Sequence, residues 1–223
     1  MPKIIDATNP NYQALRRILT TGKHNGAYYY SLEIVKNIIP NVKTNRPWDT
    51  LGIRGVRSVD DAIIFLHHNV DHDRVYKWLE RYKNQIYVCS SPVTYEWAKT
   101  KGKAIYLPLS IDTEYVSQFK TEKTKDACYA GNKWGFKLPD LEKYIPDGVD
   151  FPDPDLERED LLRFMAPYRR VYAVGRTALE AKYLGAILEV CDSRYPRTSY
   201  WQVIDNRVAA KMLQQKLDEI DKN

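Results

Sequence analysis

Cysteine and histidine are scarce in this 223-residue chain, which has three of the first and four of the second. Cys89, Cys128 and Cys191 are widely spaced, and each lies in an apolar run that reads as a strand. Without a C-x-x-C pair they argue against structural zinc and for buried, reduced thiols. Three of the histidines crowd into "HHNVDHD", residues 67–73, and only His24 lies elsewhere. His68 and His72 are four apart, but so few histidines do not complete a multi-His centre or an HD-type hydrolase site, so no metal is expected. Long apolar runs are missing as well. Stretches such as Ala62 to Leu66 are far too short to cross a bilayer. Met1-Pro2-Lys3 leads into a short mixed stretch, so no secretory signal is expected and the chain is assigned to the cytoplasm. There is no repeat of fixed period and no low-complexity tract. Neither G-x-x-x-x-G-K-[ST] nor G-x-G-x-x-G occurs, which excludes the two commonest glycine-rich phosphate loops.

What is present is ordinary for a globular protein: 43% hydrophobic and 28% charged residues. The net charge of +5 and a pI near 8.9 suit phosphate-bearing ligands, nucleic acid or an anionic surface without choosing among them. The 17 tyrosines exceed what a core needs and suit sugar or base stacking, or half-buried packing.

Short apolar runs alternate with helical patterns. "KIID" reads as a strand, "NYQALRRILT" as a helix, and "TGKHNGAYYYSLEIVKNIIP" as a glycine-containing loop entering a helix that stops at Pro40. "DAIIFLHHN" is a buried strand ending in polar residues, and "DRVYKWLERY" a helix. "QIYVCSS" and "AIYLPLS" are strands around a helix opened by Pro92 and closed by Gly102. From Ile111 to Lys125 the chain is charged and aperiodic. A second alternation follows: strand "DACYAG", an acidic Pro-rich connection "DGVDFPDPDLERED", helix "LLRFMAPY", strand "RRVYAV", helix "TALEAKYLG" and strand "AILEV". "TSYWQVIDNRVAAKMLQQKLDEI" reads as one amphipathic helix burying Trp201, Ile204, Val208, Met212, Leu213 and Leu217.

Such alternation implies βαβ units and parallel sheets covered on both faces. The expected fold is α/β, with two small Rossmann-like domains facing a cleft: residues 1–110, a linker over 111–124, a second domain over 125–197 and a closing helix over 198–223. Ligands in such sheets sit at the carboxyl ends of the strands.

"VGRTALEAKYLGA", from Val174 to Ala186, leads from a strand into a helix. A helix start there offers free N–H groups and a dipole that favour an anion. Gly175 permits close backbone approach, Arg176 adds a charge-assisted contact, and Glu180 could accept two hydrogen bonds from a ribose diol. The same residues also spell a capping box, in which Thr177 and Glu180 satisfy each other's backbone N–H groups.

The order strand, "GRTALEAKYLGA", strand resembles the nucleotide-sugar segment of GT-B glycosyltransferases of group 1 (family 4), with Glu180-Ala181 and Gly185 at the matching positions. "YLPLSID" resembles the turn closing that family's N-terminal domain, with Asp112 at its Asp. "DACYAGNKWGFK" resembles the strand opening its C-terminal domain, with Gly131 at its Gly. The resemblance runs from about Asp61 to Val190. It implies that Glu180 binds the donor ribose and that backbone at Arg176 and Thr177 holds the diphosphate. Lys133, or next Lys137, would neutralise that diphosphate. A Glu that the family places eight residues before the ribose Glu is Tyr172 here, and the chain is shorter than typical members.

The resemblance also places a cleft-facing His at the end of an N-terminal-domain strand, so His68 or Asp71 is the candidate base or orienting group for the acceptor hydroxyl. The alternative is a polar loop in which Asp71 or Asp73 caps the helix from Arg74. "TGKHNGAYYY" supplies Gly22, Lys23, His24 and Gly26 as a candidate phosphate or acceptor loop, or simply a flexible loop before a Tyr-rich helix. The implied activity is transfer of a sugar from a nucleoside diphosphate sugar, with UDP-sugar as the expected donor and no tightly bound cofactor. The acceptor would be a hydroxymethylated base in DNA, flipped out to be reached, or a cell-surface glycan. The alternative is a non-catalytic nucleotide- or nucleic-acid-binding protein on a degenerate GT-B fold.

Overall fold

The computed structural model describes residues 3–6, 62–66, 86–130, 145–153, 156–189 and 202–221. They form two compact units, one made of the chain up to Leu109 together with the segment from Asn206, the other of Ser110–Asp205.

The first unit holds a parallel sheet of β1 (Lys3–Asp6), β2 (Ala62–Leu66), β3 (Ile86–Cys89) and β4 (Lys103–Tyr106), in that spatial order. Helix α1 (Pro92–Lys99) connects β3 to β4 and packs on both. Its start follows from local chemistry. Ser91 is the N-cap, its Oγ accepting from the Thr94 N–H at 3.2 Å, and Pro92 sits where its missing N–H costs nothing. Past the end of the helix, the Gly102 N–H reaches back to the Ala98 carbonyl. Tyr87, Val88, Cys89, Ala98 and Ile105 are buried, which explains why these strands read as unbroken apolar runs.

The second unit carries a parallel sheet of β5 (Lys125–Tyr129), β6 (Tyr168–Tyr172) and β7 (Ile187–Glu189), with β6 in the centre. Helices α2 (Thr113–Ser117) and α3 (Arg158–Met165) precede β6, and α4 (Gly175–Tyr183) links β6 to β7. Both α2 and α3 pack on α4. Ile111, Val116, Cys128, Leu162, Met165, Val171, Ala178 and Leu179 are buried. Removing each large aliphatic side chain from water contributes about 1.5–3 kcal/mol. Gly185, at φ 86°, ends α4 in the left-handed conformation that glycine adopts without strain, and its N–H meets the Lys182 carbonyl.

Two expectations need correction. Residues 111–124 are not a bare linker. Asp112 caps α2, its Oδ1 accepting from the Tyr115 N–H at 2.9 Å, and Val116 and Phe119 turn inward. A helix of five residues is too short to show a period. The closing helix also starts later than expected. Helix α5 (Asn206–Asp221) belongs to the first unit, where it packs on β4. Residues 202–205 are held otherwise: the Ile204 carbonyl accepts from the Ile111 N–H, and the Asp205 carboxylate accepts from both the N–H and the hydroxyl of Thr113. Starting at Asn206 sets the buried stripe to Asn206, Ala209, Ala210 and Leu213, leaving Val208 exposed.

Candidate functional site

In a βαβ unit the helix after a strand begins at the carboxyl end of the sheet, where ligands of open α/β folds are met. In the second unit that place is the head of α4. The ladder carries on past the strand ends: the Ala130 N–H donates to the Tyr172 carbonyl and the Ala173 N–H to the Glu189 carbonyl. Val174 is extended, and Gly175, at φ 67°, turns the chain into the helix. A Cβ at Gly175 would meet no atom within 4 Å, so this glycine is required by its backbone angle and not by crowding.

This turn bears on the capping box expected of Thr177 and Glu180. The helix begins at Gly175 with Val174 as N-cap and no side-chain cap bond. Thr177 therefore lies inside the first turn, and the expected capping box does not form. Glu180 is instead buried, at 3% exposure, and its Oε1 accepts from the Nε and Nη2 of Arg158 at 3.2 and 3.0 Å. The Arg176 Nε makes an ion pair with the same oxygen at 3.2 Å, one helical turn away. Arg158 opens α3, and its guanidinium lies 5.1 Å from the Tyr115 ring of α2. Two helices thus bring two guanidiniums to one carboxylate near the helix start, with the Tyr115 ring of a third against Arg158. Such a cluster is weak evidence of stability in itself, because desolvation offsets most of the attraction, but losing one member strands the others.

The sequence-derived residues divide sharply. Gly175, Arg176, Thr177 and Glu180 come together at the head of α4. Gly131, Lys133, Lys137, His68, Asp71, Gly22, Lys23, His24 and Gly26 lie outside the described residues. Asp112 acts as a local cap, and Tyr172 is buried in β6. Arg158 and Tyr115 were missed. The Arg176–Glu180 spacing of four was readable as a helical pair, but Arg158 comes from 22 residues upstream, in the acidic run "LERED".

Other polar clusters explain themselves by packing. At the opposite, amino end of β6 the Tyr168 hydroxyl donates to Asp150 Oδ2 at 2.7 Å and accepts from Lys125 Nζ at 3.3 Å. Burial, and then the Asp150 bond, raise the Tyr168 hydroxyl well above its ordinary range. In the first unit, burial pushes the Cys89 thiol up to about 12, so it is no nucleophile near neutral pH. Burial does the same to Cys128. Among the described residues no group of three or more His, Cys, Asp or Glu is placed to hold a metal ion, and no helix is long and apolar enough to cross a membrane. Set beside protein-family models, curated proteins and solved structures, the chain matches none.

Proposed function

We propose that the chain transfers a sugar from a nucleoside diphosphate sugar, UDP-sugar foremost, to an acceptor hydroxyl, with the donor held at the head of α4 on a GT-B-like fold. The observation that carries this reading is the side-by-side placement of Arg176 and Glu180, both largely buried, at the start of the helix that follows the central strand. A diphosphate calls for cationic donors and helix N–H groups, and a ribose diol calls for a carboxylate; both kinds of group converge here. During transfer, negative charge grows on the leaving diphosphate. Arg176, Lys133 and the start of α4 are the groups proposed to stabilise it, with no metal required of them. His68 or Asp71 is proposed to orient or deprotonate the acceptor hydroxyl, on a hydroxymethylated DNA base or a cell-surface glycan.

A second reading, a nucleotide- or nucleic-acid-binding protein without turnover, is favoured by one specific observation. The Glu180 side chain is only 4% exposed and already engaged by arginines, and Tyr172 stands where the resembled family has a Glu. Calorimetric titration with UDP and UDP-sugars, followed by donor hydrolysis and transfer assays, separates the two. The transferase reading expects UDP binding that Glu180→Gln weakens, together with release of free UDP from the donor. Binding without turnover across acceptors leaves the binder, and absence of any nucleotide binding sinks both nucleotide readings. A salt-sensitive association with DNA that Glu180→Gln leaves intact would instead place the interaction elsewhere.

A further inference from the structure

Access to Glu180 is graded. Its own side chain is 4% exposed, that of Arg176 9% and that of Arg158 21%. Arg158 is thus the outermost member and provides two of the three contacts to Oε1. It is held on one side by the carboxylate and on another by the Tyr115 ring at 5.1 Å. All three contacts fall on one carboxylate oxygen, so the guanidinium fork is not spread across both oxygens in the stronger bidentate fashion. A diphosphate offers Arg158 more negative charge and several acceptor oxygens in fork geometry. A diol offers it only the lone pairs of neutral hydroxyls, a weaker acceptor than a charged phosphate oxygen.

We propose that Arg158 is an exchangeable latch on Glu180: a nucleoside diphosphate draws the guanidinium from the carboxylate onto its own diphosphate, and Glu180 is thereby released to accept the ribose diol. The inference rests on the reading of Glu180 as the ribose ligand. It makes Arg158 a specificity-determining residue, since a nucleoside without phosphates that takes Oε1 must displace Arg158 and gives it no anionic partner. The site then selects diphosphates not only by attraction but by a barrier that only an anion removes.

The test is calorimetric titration of the full chain with UDP and with uridine, in the wild type, Arg158→Gln and Arg158→Lys. The wild type should prefer UDP by at least about tenfold, the scale of one charge-assisted contact. In Arg158→Gln, UDP binding should weaken about tenfold while uridine binding tightens, so the preference collapses; uridine binding left unchanged would reduce Arg158 to a plain diphosphate contact and overturn the latch. Arg158→Lys keeps the charge but loses the fork and should fall between; it also serves where Arg158→Gln does not fold. A purely structural Arg158 would move both ligands together or neither. A UDP-to-uridine preference unchanged in both variants, with UDP binding still sensitive to Glu180→Gln, overturns the latch and leaves the donor site standing. If UDP fails to bind the wild type, the donor-site reading falls and takes the latch with it.

Discussion

Helices α1 and α4 each follow a parallel strand, and they begin in different ways. At α1 the start is closed by its own neighbours. The Ser91 Oγ accepts from the Thr94 N–H, the Thr94 hydroxyl donates back to the Ser91 carbonyl, and Pro92 removes a donor that would otherwise need a partner. At α4 no side chain caps the first turn, and a positive-φ glycine makes the bend. The charges gathered there come from the first two turns of α4 and from another helix. A helix start that satisfies itself has little left to offer a ligand. One that leaves its first N–H groups uncapped by side chains, beside half-buried arginines, has both the donors and the charge. The missing cap does not suffice alone, since α3 also lacks one; it is the convergence of Arg158, Arg176 and Glu180 that sets α4 apart.

The comparison breaks most severely at Glu180. Glu180→Ala leaves two guanidiniums without their carboxylate in a largely buried place, and should cost about 3 kcal/mol in urea unfolding. An equivalent truncation at the head of α1 has no buried charge to strand. A loss below 1 kcal/mol would show that the arginines find other partners and that the cluster is looser than its burial implies. Gly175→Ala comes next, at about 1–2 kcal/mol, because alanine resists the left-handed angle even though space is open around it.

The two units share a feature that serves as a control. Cys89 lies in the first and Cys128 in the second, each buried and each with its thiol pushed up to about 12. The folded chain therefore keeps these protons after the unfolded chain, with thiols near 9, has begun to lose them. Stability from each thiol is complete below about pH 9 and declines as pH rises toward 12. At pH 10 the loss should be about 1 kcal/mol per thiol. Urea midpoints at pH 8 and 10 should show it, and Cys89→Ala or Cys128→Ala should each flatten the slope. A slope that only one variant changes would mean that the other thiol gains water before its unit unfolds.

Much of the fold was legible because strands and helices advertise themselves through apolar runs, Pro92 at a helix start and Gly102 and Gly185 past helix ends. The described strands fall where such runs occur, and parallel pairing follows from their alternation with helices. What was not legible is what depends on distant partners. Helix α5 starts at Asn206 because Ile204 and Asp205 bond to Ile111 and Thr113, some 92 residues earlier. Arg158 belongs to Glu180 by tertiary packing of α3 on α4, which no local spacing encodes. The site was half legible: four of its residues sit in one short segment, while Arg158, which engages Glu180, does not.

The finest test sets Ser91 against Thr177, the first a helix cap in the structure and the second a cap in the sequence pattern alone. Ser91→Ala removes a bond that exists and should cost about 1 kcal/mol. Thr177→Ala should stay within about 0.5 kcal/mol, because Thr177 stands inside the first turn of α4, where alanine is the better helix former and no cap bond is lost. Were the capping box the true arrangement, the two substitutions would cost the same, Glu180 would face the backbone, and Arg158 would have no carboxylate to hold. Equal losses would therefore undo both the contrast between the two helix starts and the latch built on it. A clear gap between them leaves Glu180 to the arginines and, through them, to an anion.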